Sequence, residues 1–200
     1  MSSSTRPLRA DAARNRALLL AAAEDEFVER GLEASVADIA RRAGVAKGTV
    51  FRHFATKEAL IAAVVRERLA TLAAVARELH GGSDAGADLL AFMTHAADAR
   101  RQRDLTFLLS VSADDPQVRD VGDELHAAIG ALVDRARTAG AIRADVTEGD
   151  VFLLLCAPVH VVENHPDPPE DLWRRYLAIL FDGLRPDGAH ALPAPPPVLS

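Results

Sequence analysis

An all-α fold is predicted for this chain by its composition and by the spacing of its apolar residues. The apolar fraction is 49%, rich in alanine and leucine, whereas aromatic residues make up only 4%. Alanine and leucine favour helices, while strands favour aromatic and β-branched residues in alternation. Apolar residues recur here every three or four positions, as in Leu19, Ala23 and Phe27, and this period is typical of one helix face.

The length and the cysteine content further restrict the class of protein to which the chain can belong. Two hundred residues can bury a core as one large domain or two small ones. The single cysteine, Cys156, excludes an intrachain disulfide. The N-terminus lacks an apolar signal core, and the longest apolar run, residues 151–162, falls short of the ~20 residues that span a bilayer. A cytoplasmic protein that does not enter a membrane is expected.

Residues 35–45 indicate a short helix and a tight turn. Ser35 and Asp38 have the spacing of a capping box, in which a hydroxyl and a carboxylate satisfy free amides of the first turn. Val36, Ile39, Ala40 and Ala43 then form one apolar stripe. Gly44 follows, and glycine tolerates the left-handed backbone that ends a helix and reverses the chain.

A second helix, about residues 46–54, completes a helix-turn-helix. Val50 and Phe54, four residues apart, are predicted to be buried. The remaining side chains face outward: Lys47, Gly48, Thr49, Phe51, Arg52 and His53. This face carries basic groups and a hydroxyl but no acid, which suits the major groove of DNA.

The charge of the chain is divided unevenly along its length. The net charge is −6, yet residues 1–60 carry ten Lys and Arg against eight Asp and Glu. The remaining residues carry thirteen against twenty-one. The only lysines, Lys47 and Lys57, flank the second helix. Since the distribution of charge sets the local field, an acidic protein can still bind DNA at this segment.

Four segments are predicted from these patterns. They are a flexible basic arm (1–10), a helix-turn-helix domain (11–56), a helical C-terminal domain (57–185) and a flexible tail rich in proline and alanine (186–200). The helices expected after the helix-turn-helix are residues 57–79, 84–100, 104–113, 116–139, 147–162 and 170–184.

The sequence ARRAGVAKGTVFRHF (40–54), followed by TKEAL (56–60), resembles the N-terminal domain of TetR/AcrR-type bacterial repressors. The resemblance implies an N-terminal three-helix helix-turn-helix DNA-binding domain and a C-terminal helical bundle for ligand binding and dimerisation. It implies a homodimer, joined through the last two long helices, in which each head reads half of a near-palindromic operator on double-stranded DNA. It also implies release from DNA by a small-molecule effector, and no cofactor.

The resemblance assigns DNA contacts by position. Lys47, Gly48 and Thr49 match the start of the recognition helix, and Gly48 lets the backbone approach the duplex closely. Arg52 is the candidate for recognising guanine, because its planar guanidinium can donate two hydrogen bonds to the O6 and N7 atoms of the base. The positions that match phosphate contacts are His53, Lys57 and Ser35.

Two positions depart from what relatives use. Phe51 stands where the family frequently has tyrosine, so a phenol contact to phosphate is absent, although its ring can still pack on the sugar-phosphate edge. Ala37 stands where some relatives have a base-contacting arginine, which moves specificity onto the second helix. Arg41 and Arg42 are either phosphate contacts or a solvated face.

An effector pocket would lie between helices of the second domain and be apolar with a few polar anchors. The candidate residues are Phe92, Met93, His95, Phe107, Leu125, His126, Ile129, Leu155 and His160. As an alternative to lining a pocket, the apolar candidates could simply belong to the hydrophobic core. The histidines could instead lie on the surface. His160 and His165 are five residues apart, a spacing that does not favour a metal site. Cys156 is predicted to be an unreactive thiol in the core.

Pro158 has two interpretations, a kink in a long helix that bows around a pocket or the end of a helix.

Other functional classes are less well supported. An enzyme would need a nucleophile with its base, a paired-carboxylate site or a phosphate loop, and no such motif is evident. A generic helix pair or a dimerisation module would leave the polar face from Lys47 to His53 unexplained. A DNA-binding activator, or a regulator that responds to no effector, remains the alternative within the same class.

Overall fold

The computed structural model describes residues 5–155, 157–163, 166–187 and 189–197, and within these ranges every regular element is helical. A short 3-10 turn, Gly31–Glu33, follows the first helix. The helices are α1 (Thr5–Arg30), α2 (Val36–Arg42), α3 (Lys47–His53), α4 (Lys57–His80), α5 (Ala85–Gln102), α6 (Phe107–Ser112), α7 (Pro116–Thr138), α8 (Glu148–Leu154), α9 (Ala157–Glu163) and α10 (Leu172–Gly183). The all-α prediction is confirmed.

The described chain divides into two compact units. The first comprises Met1–Arg68 and Arg103–Arg119, and the second comprises Leu69–Gln102 and Asp120–Ser200, in each case where the structure describes them. The first unit thus contains α1 to α3, the beginning of α4, α6 and the first turn of α7. The functional boundary expected between residues 56 and 57 stays a prediction.

The first unit is built on the stripe of α1 that the sequence indicated. Leu19, Ala23 and Phe27 are fully buried. Ile39 of α2 and Val50 of α3 are buried in the same unit, so each short helix is anchored by an apolar side chain. Helices of this length are marginal alone, because nucleation is costly, and the packing of α2 on α1 and of α3 on α2 stabilises them.

The second unit has its own hydrophobic core. Its largest members on α5 are Phe92 and Met93, both fully buried, and Trp173 of α10 is 1% exposed. Burying each such side chain contributes about 1.5–3 kcal/mol relative to exposure. The core also includes Ile129 and Leu132 of α7, Val151 of α8, Val159 of α9 and Leu177 of α10.

Two predicted helix boundaries were wrong. α1 begins at Thr5, so residues 5–10 belong to a helix rather than to the expected flexible arm. Pro7 does not prevent this, because the first turn of a helix needs no amide donor at that position.

The apolar run expected to form one helix, residues 147–162, is instead divided into α8 and α9. Pro158 lies in the first turn of α9, and α8 ends at Leu154. A proline ring clashes with the carbonyl four residues before it, which here belongs to Leu154, so the break follows from the position of Pro158. Pro158 thus marks a helix boundary and not a kink within one helix. Cys156, Asn164 and His165 lie outside the described residues.

The C-terminal segment forms no helix after α10, in the part that the structure describes, but it is held at one point. Arg143 donates from its backbone amide to the carbonyl of Leu184 at 2.8 Å and from its guanidinium to the carbonyl of His190 at 2.5 Å. Asp145 accepts from the same guanidinium, and this hydrogen bond holds the pKa of Asp145 below its usual value. Whether the tail beyond His190 is flexible stays a prediction.

Among the described helices, none is long and apolar enough to cross a membrane.

Candidate nucleic-acid interface

The Ser35 side chain caps the N-terminus of α2 as its sequence predicts, but Asp38 accepts from the Ser35 hydroxyl and not, as in the predicted capping box, from a backbone amide. The backbone amide of Asp38 donates to the Ser35 hydroxyl oxygen at 3.2 Å, and the Ser35 hydroxyl donates to the Asp38 carboxylate at 2.6 Å. The hydrogen bond from the Ser35 hydroxyl foremost, and then that from the Arg41 guanidinium, hold the pKa of Asp38 below its usual value. Ser35 is exposed, but its hydroxyl proton is already engaged with Asp38.

A glycine turn connects α2 to α3 with a defined geometry. Gly44 has a φ of 69°, in the left-handed region that glycine adopts without strain. The Val45 amide donates to the Ala40 carbonyl at 3.0 Å, and the Gly44 amide donates to the Arg41 carbonyl at 3.1 Å. This pair of bonds is a Schellman motif, which satisfies the last carbonyls of α2 and sets the direction in which α3 begins.

One face of α3 is fixed to the core of the unit. Val50 is 1% exposed and Phe54, which follows α3 directly, is 5% exposed, as the sequence predicted. The guanidinium of Arg16 lies 5.5 Å from the centre of the Phe54 ring. The orientation of the opposite face is set by these two anchors.

The opposite face of α3 presents the predicted DNA-contacting residues to solvent. Lys47, Gly48, Phe51 and Arg52 are exposed, and Thr49 and His53 are half-buried. The Lys47 ammonium lies 5.8 Å from the centre of the Phe51 ring. A Cβ atom added at Gly48 would meet nothing within 4 Å, so the chain itself does not require glycine there.

The arginines of α2 are engaged within the protein. Arg42 donates from Nε to Glu26 at 2.9 Å and from Nη2 to Glu29 at 2.5 Å, and both carboxylates belong to α1. The hydrogen bond from Arg42 holds the pKa of Glu29 below its usual value. Arg41 pairs with Asp38 at 2.6 Å. In contrast, Arg52 has no ion pair or hydrogen bond with any side chain that the structure describes, so its guanidinium is available to a ligand.

Lys57 makes a contact that the sequence did not indicate. Its Nζ donates to the backbone carbonyl of Leu32 at 2.5 Å and so ties the start of α4 to the turn after α1. The residue is half-buried, and its ammonium has further donors for a phosphate. Its predicted phosphate contact stays a prediction.

Sequence reasoning missed a buried carboxylate that orients α2. Glu26 is 2% exposed and lies between Arg42 and the Nε atom of Arg30, 3.3 Å away. A charged residue adjacent to Phe27, within an otherwise apolar face, was the available signal. Glu24 and Asp25 are paired with Arg103, at 3.0 Å each, and no local pattern could have revealed contacts so distant in sequence.

The residues proposed for an effector pocket fall into separate environments. Five of them are core residues of the second unit, none more than 9% exposed: Phe92, Met93, Leu125, Ile129 and Leu155. Phe107 begins α6 and is half-buried in the first unit.

The three histidines differ as well. His126 pairs with Glu148 of α8, and its ring lies 4.7 Å from that of Phe152. His95 lines an open groove beside α5, and His160 is exposed on α9. Their role in effector binding stays a prediction. No cluster of three or more metal-ligating side chains occurs in the described ranges.

Comparison with known families assigns both halves of the chain. The profile of "Bacterial regulatory proteins, tetR family" matches residues 19–64, and that of "Transcriptional regulator SbtR-like, C-terminal domain" matches residues 91–186. The first match contains the helix-turn-helix, and the second contains most of the unit with the larger core.

Solved structures and curated relatives agree with this assignment. A TetR regulatory protein of Mycobacterium vanbaalenii is 34% identical and has a TM-score of 0.66 over 90% of this chain and 99% of its own. The regulator SCO0520 of Streptomyces coelicolor is 33% identical, with a TM-score of 0.66 over 86% and 98%.

The transcriptional repressor Rv3405c of Mycobacterium tuberculosis is 48% identical over 75 residues, and the match spans 37% of each chain.

Proposed function

This chain belongs to the TetR family of bacterial regulatory proteins and is a transcriptional regulator with a DNA-binding helix-turn-helix, and from that premise we propose its mode of action. It is a homodimeric repressor that binds a near-palindromic operator through α3 of each protomer. A small-molecule effector, bound by the second unit, releases it from DNA.

The proposal rests on one difference between the arginines of α2 and the arginine of α3, namely whether carboxylates of the protein already pair with them. Arg42 is held by carboxylates of α1, the buried Glu26 among them, and Arg41 has an exposed pair with Asp38, whereas Arg52 is exposed and unpaired within the described part of the chain. A free planar guanidinium on an exposed helix can donate to both acceptors of a guanine edge. Lys47 and Thr49 stand on the same helix, and we assign base or phosphate contacts to them. His53, Lys57 and Ser35 supply phosphate contacts that fix the register of the helix on the duplex.

Exposed apolar residues of the C-terminal helices support the homodimer. Tyr176 and Ile179 on α10 are 37% and 53% exposed, and they stand three residues apart on one face. Leu153 of α8 is also 53% exposed. Exposed apolar side chains on the last helices suit a two-fold symmetric interface, in which the same surface of each protomer is buried against its partner.

Repression by such a dimer depends on the separation of its two recognition helices. Both helices enter successive major grooves only if they are about one helical turn apart, ~34–36 Å. An effector that stabilises another separation lowers the affinity for the operator by its coupling free energy, typically 1–3 kcal/mol.

Selection of bound sequences from a random duplex pool tests the proposal. The purified protein is incubated with the pool at physiological salt, and the bound duplexes are amplified and sequenced over several rounds. We expect enrichment of an inverted repeat with half-sites one helical turn apart. No enriched motif, or one without two-fold symmetry, would contradict the proposal.

A further inference from the structure

The second unit has an open groove along the exposed face of α5. Its cavity volume is about 490 Å³, within the range of small-molecule sites. The walls are apolar where Ala87, Leu90 and Ala91 contribute, and Arg174 of α10 lines the same groove. The lining residues of α5 recur every three or four positions, from Ala87 to Asp98, and span about 16 Å of the helix axis.

The polar groups of the groove differ in their availability. Asp98 accepts from the Gln102 amide at 2.7 Å and lies 3.5 Å from Arg101, so its charge is compensated. His95 is exposed and has no partner in the described ranges. Arg174 is paired with Asp171 at 3.0 Å, but both side chains are at least half exposed, and such a pair contributes little stability. A ligand anion can replace it at small cost.

The Arg174 guanidinium is positioned by the indole ring of Trp173 beneath it. The guanidinium carbon of Arg174 lies 4.5 Å from the centre of the Trp173 ring and covers it. Trp173 is 1% exposed, and its Nε1 donor has no hydrogen-bond acceptor among the residues described. This cation–π contact holds the Arg174 guanidinium in place at the wall of the groove.

We propose that this groove binds a linear aliphatic monocarboxylate, with the carboxylate at Arg174 and the alkyl chain along the apolar residues of α5. The lining offers a single guanidinium, which matches one carboxylate and leaves the second charge of a phosphate dianion without a partner. The straight stripe along α5 favours a linear chain. The inference rests on the proposed function, because it names the chemical class of the effector.

Octanoate serves as the probe, and its binding is followed by the emission of Trp173, the only tryptophan of the chain, which lies against Arg174 of the groove. Titration of the full-length protein with octanoate should change the tryptophan emission saturably, with a dissociation constant on the order of 1 mM. Octanol, which lacks the charge, should bind more weakly. No saturable change with octanoate would overturn the proposal.

Two arginine variants separate the groove from a general effect of charge. Arg174→Gln should weaken octanoate binding about fivefold, whereas Arg175→Gln, an exposed neighbour outside the groove, should leave it unchanged. Because Arg174→Gln also alters the surroundings of the indole, binding by both variants is measured by saturation-transfer NMR of the ligand. Equal affinity in the two variants would overturn the proposal.

Operator binding, measured by fluorescence anisotropy, connects the groove to regulation. Octanoate should lower operator affinity for the wild-type protein and for Arg175→Gln, but less for Arg174→Gln. If the operator binds and octanoate leaves its affinity unchanged, the assignment of the effector fails while the DNA-binding function stands. If no operator binds, the proposed function fails, and the ligand titrations still decide whether the groove is a site.

Discussion

Residues of the same type have different roles in this protein because of what surrounds them. Arg42 and Arg52 are ten positions apart, yet Arg42 is held by two carboxylates of α1 and Arg52 by none that the structure describes. A guanidinium that already donates to carboxylates must give up those bonds before it can bind DNA. Arg52 therefore remains the strongest candidate for a base contact.

Replacing Arg52 with alanine should relax the sequence preference of the protein at one position in each half-site. Loss of a bidentate contact to guanine costs about 1–3 kcal/mol on the preferred sequence and little on a duplex that is mismatched there. Anisotropy titrations against the operator and its single-position variants measure the difference. An equal loss of affinity on all duplexes would identify Arg52 as a phosphate contact instead.

Gly48→Ala distinguishes an effect on protein stability from an effect on DNA binding, because the protein has room for a methyl group at this position. Nothing lies within 4 Å of the added atom, and alanine favours a helix over glycine by about 0.5–1 kcal/mol. The thermal midpoint should therefore not fall. Operator affinity should fall, because the methyl group lies where the duplex approaches. Undiminished affinity would show that the backbone at Gly48 does not closely approach DNA.

Lys57→Ala tests whether the lysine acts on DNA or only on the turn after α1. A lost phosphate contact should weaken binding to all duplexes and reduce the slope of log affinity against log salt by about one unit. If Lys57 acts only through its bond to the Leu32 carbonyl, the thermal midpoint falls and the salt slope stays as in the wild type. Measuring both quantities on the same samples decides between the two roles.

At the scale of elements, α2 is positioned by an ionic clamp as well as by its apolar stripe. Glu26 is 2% exposed, and Arg42 supplies one of its two cationic partners. Removing a partner from a buried carboxylate costs more than removing an exposed one, because the charge is left without compensation.

Arg42→Ala is therefore expected to destabilise the protein by about 1–3 kcal/mol in urea unfolding. Arg41→Ala is the matched control on the same helix. Arg41 is 68% exposed on its side chain, and its pair with Asp38 should contribute about 0–1 kcal/mol. Similar losses for the two variants would show that the clamp to Glu26 contributes no more than a surface ion pair.

The sequence indicated those elements whose signals are local. The cap at Ser35, the turn at Gly44 and the burial of Val50 and Phe54 all depend on neighbours within a few residues, and all agree with the structure. The break between α8 and α9 was one of two interpretations of Pro158, and the continuous apolar run of residues 151–162 could not decide between them.

Other features were hidden because they depend on partners far away in sequence. The bond from Lys57 to the Leu32 carbonyl joins residues 25 positions apart, and a backbone acceptor leaves no mark in a sequence. Whether His126 binds a ligand or pairs with Glu148 likewise depends on α8 lying against α7. Periodicity identifies the face of a helix but not what lies against it.

For the whole molecule, an acidic net charge is compatible with DNA binding because the charges are segregated. The net charge is −6, and both lysines of the chain flank α3. The acidic remainder repels the duplex elsewhere, which favours contact through the helix-turn-helix.

The central claim is that two protomers read one symmetric operator through α3. It is tested most directly by titrating the selected operator, and the same duplex with one half-site scrambled, at physiological salt while the stoichiometry is measured. We predict two chains per intact operator and at least about tenfold weaker binding when one half-site is lost, because its base contacts, worth several kcal/mol, disappear. Equal affinity for the intact, scrambled and random duplexes would contradict the account.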